Sequence, residues 1–437
     1  MKDGASALDH VTPYDRFAWR ATHIERSLAR GAQRRELSAY FGAAEYRALA
    51  ALARRAHAVR LSGAAPRVLI VPGIMGSQLG LRRAPQLPDD VLWLDPIDIE
   101  SGKLAALRMP GGAPIVSLGV VLYSYLPLKL YLRAQGLAAE FHDYDWRLPL
   151  AESARALAAR LRTLKGSRVV IVAHSMGGLV SRAALALPDT GHVERVVLLG
   201  TPNHGSFAAV QALRGTYAVV RKVARLALRD SAESLAAETF NTFPSIYELL
   251  PSGPCAGGID LFAARSWPRL GPRPRRALLA AARGTLERLA PADERFAVIA
   301  GVGAETVTAV ARRGEDFLYT LTRYGDGTVP VVSAVLPGAR CAYARVAHSE
   351  LTRDRQVAAA VVDFIRHGAT ARLPARWVSG SRARTAVSDR QLRRSHALKV
   401  DWAALSPEER RLFLQNLNEP PHFRLRIAGR RAPRRQR

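Results

Sequence analysis

Short apolar runs alternate with helical stretches from about residue 67 to about residue 368. Each run is rich in β-branched residues, and the runs are Arg67–Val71, Ala138–His142, Arg168–Val172, Val193–Leu199, Phe296–Ala300 and Ala342–Val346. Near-continuous apolar strands separated by helices are typical of a mostly parallel sheet that helices cover on both faces. The pattern therefore predicts a doubly wound α/β fold.

Other segments depart from this alternation. The N-terminal segment is alanine-rich with leucines at helical spacing, which predicts helices. A long interval between two core strands holds amphipathic stretches such as Val210–Leu228 and predicts a lid, although this stretch fits ordinary packing equally well. The predicted parts are a helical N-terminal segment (1–62), an α/β core (63–202 and 291–368), a lid insertion (203–290) and an Arg-rich C-terminal tail (369–437).

Composition adds a strong positive charge to this picture. The chain has 437 residues, is 48% hydrophobic and 23% charged, and carries a formal net charge of +27. Residues 371–437 contribute 17 Lys/Arg against 5 Asp/Glu, a net of +12. Such a surface favours anionic partners. We expect either a solvated tail or peripheral docking to an anionic membrane, with no nucleic-acid partner, and the oligomeric state stays open.

Targeting and cysteine patterns narrow the setting. The first residues, MKDGASALDH, are charged where a secretory signal would be apolar, and the uncharged stretch Met109–Leu128 contains three prolines and three glycines. We therefore expect neither a signal peptide nor a membrane span, and a cytoplasmic protein that contacts the membrane at most peripherally. Cys255 and Cys341 predict neither a disulfide framework nor a zinc site.

The stretch VVIVAHSMGGLVSRAAL places Ser175 between a predicted strand and a predicted helix. This strand–turn–helix context is that of a nucleophile elbow, in which the serine has a strained backbone and small neighbours. Gly177 and Gly178 satisfy that requirement on one side, and Ala173 stands where a glycine is usual. Such a turn also aims the Met176 amide at a developing oxyanion. Ser175 is therefore the candidate nucleophile, and a simple helix N-cap is the alternative.

A serine nucleophile needs a base and an acid, which follow it along the chain in this kind of fold. His348 comes just after the last predicted strand and is the candidate base. Asp326 in YGDGTVP precedes it by 22 residues and is the candidate acid, although Asp-Gly is also a common turn signal. The runner-up acid is Asp316, and the other late histidines are His367, His396 and His422. The loop that starts at Val71 and holds two glycines is suited to supply a second oxyanion donor.

Seven stretches resemble the lecithin:cholesterol acyltransferase-like branch of the α/β-hydrolases. They are VLIVPGIMGSQL, LWLDP, HDYDWR, VAHSMGG, LGTPNHGS, GDGTVP and AHSEL. The resemblance covers residues 67 to 366 and implies an α/β-hydrolase fold with Ser175, Asp326 and His348 as catalytic residues. It also implies that the backbone amides of Ile74 and Met176 form the oxyanion hole. Trp93 would lie in a loop that touches membrane or substrate, although no cysteine is present to pin that loop.

The resemblance predicts serine-dependent acyl transfer from a lipid ester to a lipid hydroxyl or to water, without metal or cofactor. A general carboxylesterase or triacylglycerol lipase is the first alternative. A binding protein that docks to anionic surfaces on a hydrolase frame is the second. Near the predicted site, His204 is expected to have a structural or lid-anchoring role, and His174 to pack under the elbow. Asp145 and its neighbours Trp146 and Arg147 are expected to be structural.

Overall fold

The computed structural model describes Asp15 and residues 20–378, 384–394 and 399–415. The strands in these ranges are β1 (Arg67–Val71), β2 (Ser77–Leu81), β3 (Asp90–Trp93), β4 (Val116–Val120), β5 (Ala138–Phe141), β6 (Val169–His174), β7 (Val193–Leu199), β8 (Phe296–Gly301), β9 (Thr306–Arg313), β10 (Asp316–Thr322), β11 (Arg340–Ala344) and β12 (Thr385–Ser388).

Helices separate most of these strands. They are α1 (Ala21–Arg30), α2 (Arg34–Phe41), α3 (Ala43–Ala58), α4 (Pro96–Glu100), α5 (Leu122–Ala134), α6 (Leu150–Arg162), α7 (Met176–Leu185), α8 (Phe207–Leu213), α9 (Ala218–Leu226), α10 (Ala232–Glu238), α11 (Pro244–Glu248), α12 (Arg276–Ala282), α13 (Val331–Ala334), α14 (Arg355–His367), α15 (Asp389–Arg394) and α16 (Pro407–Gln415). Among the residues described, no helix combines the length and the apolar character that crossing a bilayer requires.

Six strands form one parallel sheet in the order β11-β8-β7-β6-β1-β5. These are the strands that the apolar runs predict, so the α/β prediction is confirmed. The predicted ends of Val193–Leu199 are correct, whereas the last strand spans Arg340–Ala344 instead of Ala342–Val346. The difference arises because pairing with β8 begins at Arg340, while the Val346 amide already turns back to the Ala344 carbonyl (2.9 Å).

Successive residues of the central strands enter two separate apolar cores. In β1, Leu69 and Val71 belong to one core, whereas Val68 and Ile70 belong to the other. This division follows from the period of two along a strand, and it explains why these runs are apolar throughout rather than alternating. Helices α1–α3, α5 and α14 contribute to the Val68 side, and α6–α9 contribute to the Leu69 side.

Two small antiparallel sheets flank the central one, in the orders β3-β2-β4 and β12-β10-β9. The β9–β10 hairpin is an excursion from the carboxyl end of β8, after which the chain returns to that end. A Cβ atom built on Gly301, the last residue of β8, would lie 2.5 Å from the Cβ of Asp326. The hairpin therefore delivers Asp326 to the edge of the central sheet.

Within residues 203–290, α8 and α11 lie next to the carboxyl edge of the central sheet. Almost every residue of α9 is buried, including Arg221 and Lys222. The stretch Val210–Leu228 therefore packs against the protein along most of its length, and only Leu228 exposes a large apolar side chain there. The predicted boundaries of a lid stay a prediction.

The described parts of the C-terminal segment pack onto the body of the protein. Strand β12 joins β10, and the side chains of Trp402 and Phe413 are buried. The expectation of a solvated or docking tail is therefore wrong for residues 384–394 and 399–415. It failed because the density of arginine conceals a few apolar and acidic side chains that anchor the segment, while residues 416–437 lie outside the described ranges.

Candidate active site

Ser175 lies in the turn between β6 and α7 with a strained backbone, φ 54° and ψ −129°. A residue with a side chain seldom adopts a positive φ, and such strain concentrates at functional sites. A Cβ atom on Gly177 would lie 2.4 Å from the Pro72 carbonyl oxygen, and one on Gly178 would lie 2.0 Å from Thr201 Oγ1. The small residues that the sequence places after Ser175 are therefore required by the close approach of two neighbouring loops.

The side chains of Ser175, His348 and Asp326 are joined by two hydrogen bonds. His348 Nε2 lies 2.9 Å from Ser175 Oγ, and His348 Nδ1 lies 2.8 Å from Asp326 Oδ2. All three residues are buried. A carboxylate oxygen accepts, so Nδ1 carries the proton and Nε2 is left to accept the serine hydroxyl proton. This arrangement allows the imidazole to remove a proton from Ser175.

Backbone groups hold Asp326 in place. Its Oδ1 atom accepts hydrogen bonds from the amides of Thr328 (2.9 Å) and Val329 (2.7 Å). The Asp326 carbonyl accepts from the His348 amide at 2.9 Å. One carboxylate oxygen is thus fixed by its own turn and the other faces the imidazole. The Asp-Gly turn signal and the candidate acid are therefore compatible, because the turn itself orients the carboxylate.

The loop after β1 lies directly against the serine. A Cβ atom on Gly73 would lie 2.7 Å from the Cβ of Ser175, so only glycine fits there. Met75 in the same loop has a φ of 61°. Ile74 and Met75 line the cavity at Ser175, and the Met176 amide opens the first turn of α7, where no intrahelical acceptor exists. The two loops that carry Ile74 and Met176 therefore meet at the serine.

His174 fills the space beneath the serine. Its ring centroid lies 4.7 Å from that of His348, and its Nε2 atom lies 3.0 Å from the His348 carbonyl oxygen. Its Nδ1 atom lies 3.0 Å from Oη of Tyr125. Burial, reinforced by the neighbouring His348, lowers the pKa of His174 to about 3. No feature of the sequence pointed to Tyr125, because its contact with His174 depends on how α5 packs.

The cavity at Ser175 is small and apolar. Its volume is about 40 Å³, and it is lined by Ile74, Met75, Ser175, Pro202, Ser206, Ala208, Ala209, Ala212, Tyr217, Ile246, Leu249, Thr328 and Val329. None of these described lining residues carries a charge. Helix α8 supplies three alanines, whose spacing the sequence showed only as a packing face. A larger cleft of about 520 Å³ lies elsewhere, between α2, α16 and the start of α5, and does not include Ser175.

Trp93 does not lie in an exposed loop, and the expectation that it touches membrane or substrate is wrong. Its side chain is 1% exposed, its Nε1–H donates to the Met75 carbonyl at 3.1 Å, and its ring packs against Trp146 and Phe240. An indole is the largest apolar side chain and is most stable where its N–H finds an acceptor. Trp93 therefore supports the loop after β1 from below.

The remaining candidates lie away from the serine. The His204 amide contacts Ser333 (3.3 Å) and its carbonyl accepts from Ser252, and its side chain does not line the cavity. Asp316 begins β10 in a flanking sheet, and His367 ends α14. His396 and His422 lie outside the described residues.

Neighbouring polar residues have structural partners. Arg147 pairs with Asp145 and donates to the Leu107 carbonyl at 2.8 Å, and Trp146 Nε1–H donates to the Ser77 carbonyl at 3.0 Å. The cysteines are free thiols, and burial raises the pKa of Cys255 to about 12.

Comparison with known proteins gives one family match. A family described as "PGAP1-like alpha/beta domain" matches residues 158–243, a range that includes Ser175 but neither Asp326 nor His348. A search of curated protein sequences found no match.

Solved structures that overlap with the chain include three of related description. The mature Bacillus licheniformis lipase BlEst2 is 16% identical with a TM-score of 0.38, and the overlap covers 71% of this chain and 95% of the lipase. A chain of the Tle4–Tli4 complex is 14% identical with a TM-score of 0.41 (68% and 97%). The metagenomic carboxyl esterase MGS0156 is 15% identical with a TM-score of 0.30 (66% of each chain).

Scores of this size do not by themselves establish a relationship. The assignment of the fold depends instead on the order of the parallel strands, on the strained turn between β6 and α7, and on the family match across that turn. Together these features identify the chain as having the α/β-hydrolase fold.

Proposed function

We propose that the protein is a serine-dependent lipid esterase that works through an acyl-enzyme on Ser175. The observation that carries this proposal is the pair of hydrogen bonds from Ser175 Oγ through His348 to Asp326, formed at a strained turn where the hydroxyl faces a cavity. Side chains 151 and 173 residues away from Ser175 converge on it, which packing alone does not require.

In the first half-reaction, His348 Nε2 takes the hydroxyl proton as Ser175 Oγ attacks the ester carbonyl carbon. Asp326 holds the ring by its Nδ1–H and stabilises the imidazolium that forms. The imidazolium then gives its proton to the departing alcohol, and the acyl group stays on Ser175. In the second half-reaction, water or another alcohol attacks the acyl-enzyme with the same histidine as base.

The charge on the carbonyl oxygen needs donors while the intermediate exists. We assign the amides of Met176 and Ile74 to this role, because the first opens α7 and the second lies in the loop pressed against Ser175. Losing one such donor costs about 3 kcal/mol of transition-state stabilisation. A dry, uncharged cavity also strengthens these hydrogen bonds, because water does not compete for them.

The lining of the cavity supports an uncharged aliphatic acyl group as the part of the substrate that enters. A volume of about 40 Å³ admits only a short portion of such a chain. Longer acyl groups require the elements above the serine, α8 and α11, to move aside. A short-chain carboxylesterase is therefore the second candidate function, and the size of the cavity is the observation that favours it.

The finer assignment is lecithin:cholesterol acyltransferase-like transfer or phospholipase action. It is supported by the seven quoted stretches, and both outcomes share the acyl-enzyme. The two differ only in whether water or a lipid hydroxyl takes the acyl group. We further propose a cytoplasmic enzyme that contacts anionic membranes peripherally, since the net charge is +27. A non-catalytic docking protein is a weaker proposal, because much of the C-terminal segment is folded onto the core.

Activity against a graded set of esters tests these proposals. Purified protein is incubated with p-nitrophenyl esters of increasing chain length, with triacylglycerol and with mixed phospholipid–sterol vesicles, and the products are identified by mass spectrometry. Free fatty acid alone indicates hydrolysis, whereas a new ester identifies an acceptor. The proposal fails if no ester is cleaved, or if the Ser175→Ala variant cleaves esters as fast as the natural protein.

A further inference from the structure

A buried line of hydrogen bonds runs beneath Ser175 from the loop after β1 to the loop after β11. The Gly73 amide donates to Tyr125 Oη at 2.9 Å, Tyr125 Oη lies 3.0 Å from His174 Nδ1, and His174 Nε2 lies 3.0 Å from the His348 carbonyl oxygen. We call these four residues the subsite chain. Acyl transfer itself uses none of these atoms.

Chemistry fixes the direction of every hydrogen bond in the subsite chain. A carbonyl oxygen can only accept, so His174 Nε2 carries the hydrogen. In a neutral imidazole the other nitrogen is then a bare acceptor, which the Tyr125 hydroxyl satisfies. The hydroxyl oxygen in turn accepts from the Gly73 amide. Each group is thus used once in one orientation, and no alternative arrangement of protons satisfies both ends.

The neutral state of His174 matters for its neighbour. Burial and the nearby His348 hold the pKa of His174 at about 3, so it carries no charge near neutral pH. A second imidazolium with its ring centre 4.7 Å away would oppose the protonation of His348 that acyl transfer requires. Burial also raises the pKa of Tyr125, so its hydroxyl remains a donor.

There is little slack around these atoms. A Cβ atom on Gly76 would lie 2.6 Å from Tyr125 Oη, and one on Gly73 would lie 2.7 Å from the Cβ of Ser175. A shift of Tyr125 would therefore displace the loop that presents the Ile74 amide. The subsite chain links this loop to the backbone of the base at the other side of the serine.

We propose that Tyr125 and His174 are positioning residues that hold the oxyanion loop and the base loop in one fixed relation across Ser175. This inference rests on the proposed function and extends it. Neither residue touches the substrate, and each acts through the backbone group it binds. If the two loops are held as one unit, removal of any link releases both.

Kinetic coupling tests this proposal. Tyr125→Phe, His174→Leu, His174→Gln and the Tyr125→Phe/His174→Leu double variant are assayed with p-nitrophenyl butyrate, with active sites counted by fluorophosphonate titration. A boronic acid, which imitates the tetrahedral intermediate, is assayed as an inhibitor. Tyr144→Phe is the matched control, because Tyr144 is also buried and its hydroxyl donates to the Pro72 carbonyl at 2.9 Å in the same loop without reaching His174.

We expect Tyr125→Phe and His174→Leu each to lower kcat per active site about tenfold or more, since small misplacements of catalytic groups are costly. KM should change less than kcat, and boronate affinity should fall in step with kcat. The double variant should be no worse than the poorer single variant. His174→Gln should recover most of the activity, because an amide can accept from Tyr125 and donate to the His348 carbonyl. Tyr144→Phe combined with His174→Leu should give the product of the separate effects.

Independent, multiplying effects of Tyr125→Phe and His174→Leu would overturn the inference, as would losses confined to the titrated fraction of active sites. If His174→Leu fails to fold, Tyr125→Phe, which removes a single oxygen atom, decides by its boronate affinity relative to KM. A natural protein that does not react with the fluorophosphonate would instead refute the proposed function, and this inference with it.

Discussion

Two regions of the molecule bury polar side chains, but the sequence reveals them to very different degrees. The edge of the central sheet buries Ser175, Asp326 and His348, whereas the C-terminal segment buries Asp389 against Arg214 at 2.9 Å with both side chains 0% exposed. Asp389 also accepts from Tyr319 Oη at 2.7 Å. Both clusters join residues that are distant along the chain.

The difference lies in how local the physical requirement is. At the sheet edge, a strained turn demands small residues beside the serine, so the constraint is visible within five consecutive positions. The burial of Asp389 depends on which arginine among many lies opposite, and no local pattern records that choice. Steric requirements of turns are therefore readable from sequence, whereas the pairing of charges across a fold is not.

The largest expected effect comes from Asp326→Asn. An amide in place of the carboxylate presents a donor to His348 Nδ1 and favours the wrong tautomer, so kcat should fall roughly 10³- to 10⁴-fold with the fold intact. Steady-state kinetics and thermal unfolding measure the two quantities. The runner-up acid provides the control, and Asp316→Asn should leave kcat within about twofold. The opposite ranking of the two variants would assign the acid to Asp316.

Asp389→Ala tests the C-terminal region. Removing one partner of a fully buried ion pair leaves Arg214 without its counter-charge and should lower the free energy of unfolding by about 3–5 kcal/mol. Urea unfolding measures this, and kcat per active site should be unchanged. The double variant Arg214→Leu/Asp389→Leu should be more stable than either single variant. A stability equal to that of the natural protein in Asp389→Ala would mean that the segment is not anchored there.

Glu248→Gln tests a buried carboxyl between the insertion and the core. Burial raises the pKa of Glu248 from its usual value of 4.5 to about 7, and its Oε2 atom accepts from the Leu150 amide at 2.7 Å. Between these values only the folded chain keeps the proton, so the natural protein loses stability as the pH rises, and the loss is complete above about pH 7.

The glutamine variant has no proton to lose and keeps an acceptor for Leu150. Relative to the natural protein it should therefore gain roughly 3 kcal/mol at pH 8 and almost nothing near pH 5. Urea unfolding at both values measures the difference. Glu238, which is exposed and pairs with Arg108, is the control, and Glu238→Gln should cause a small change at both. An equal effect of Glu248→Gln at the two pH values would contradict the account.

The smallest expected effect is that of Trp93→Phe. The variant loses the hydrogen bond to the Met75 carbonyl and part of the packing against Trp146, which should cost about 1–3 kcal/mol of stability and a few-fold in kcat. Binding to vesicles of anionic phospholipid, measured by sedimentation, should not change. A selective loss of vesicle binding would restore the membrane role that the buried position of Trp93 argues against.

Much of the sheet edge was accessible from sequence. The six parallel strands follow from apolar runs, and the elbow follows from the residues around Ser175. The contact of Asp326 and His348 with each other was an inference from chain order, and the structure brings both to the serine. Tyr125, the alanine-lined cavity and the antiparallel strands were missed, because α5, α8 and β9 have patterns that fit many packing partners.

The central claim is that Ser175 is made nucleophilic by its environment, and a single labelling measurement tests it. The natural protein is treated with a fluorophosphonate at neutral pH, digested, and mapped by mass spectrometry. The account predicts one phosphonylated residue, Ser175, and loss of the label when His348 is replaced by glutamine. Label on another serine, or a Ser175 that stays unmodified while the protein is folded, would contradict it.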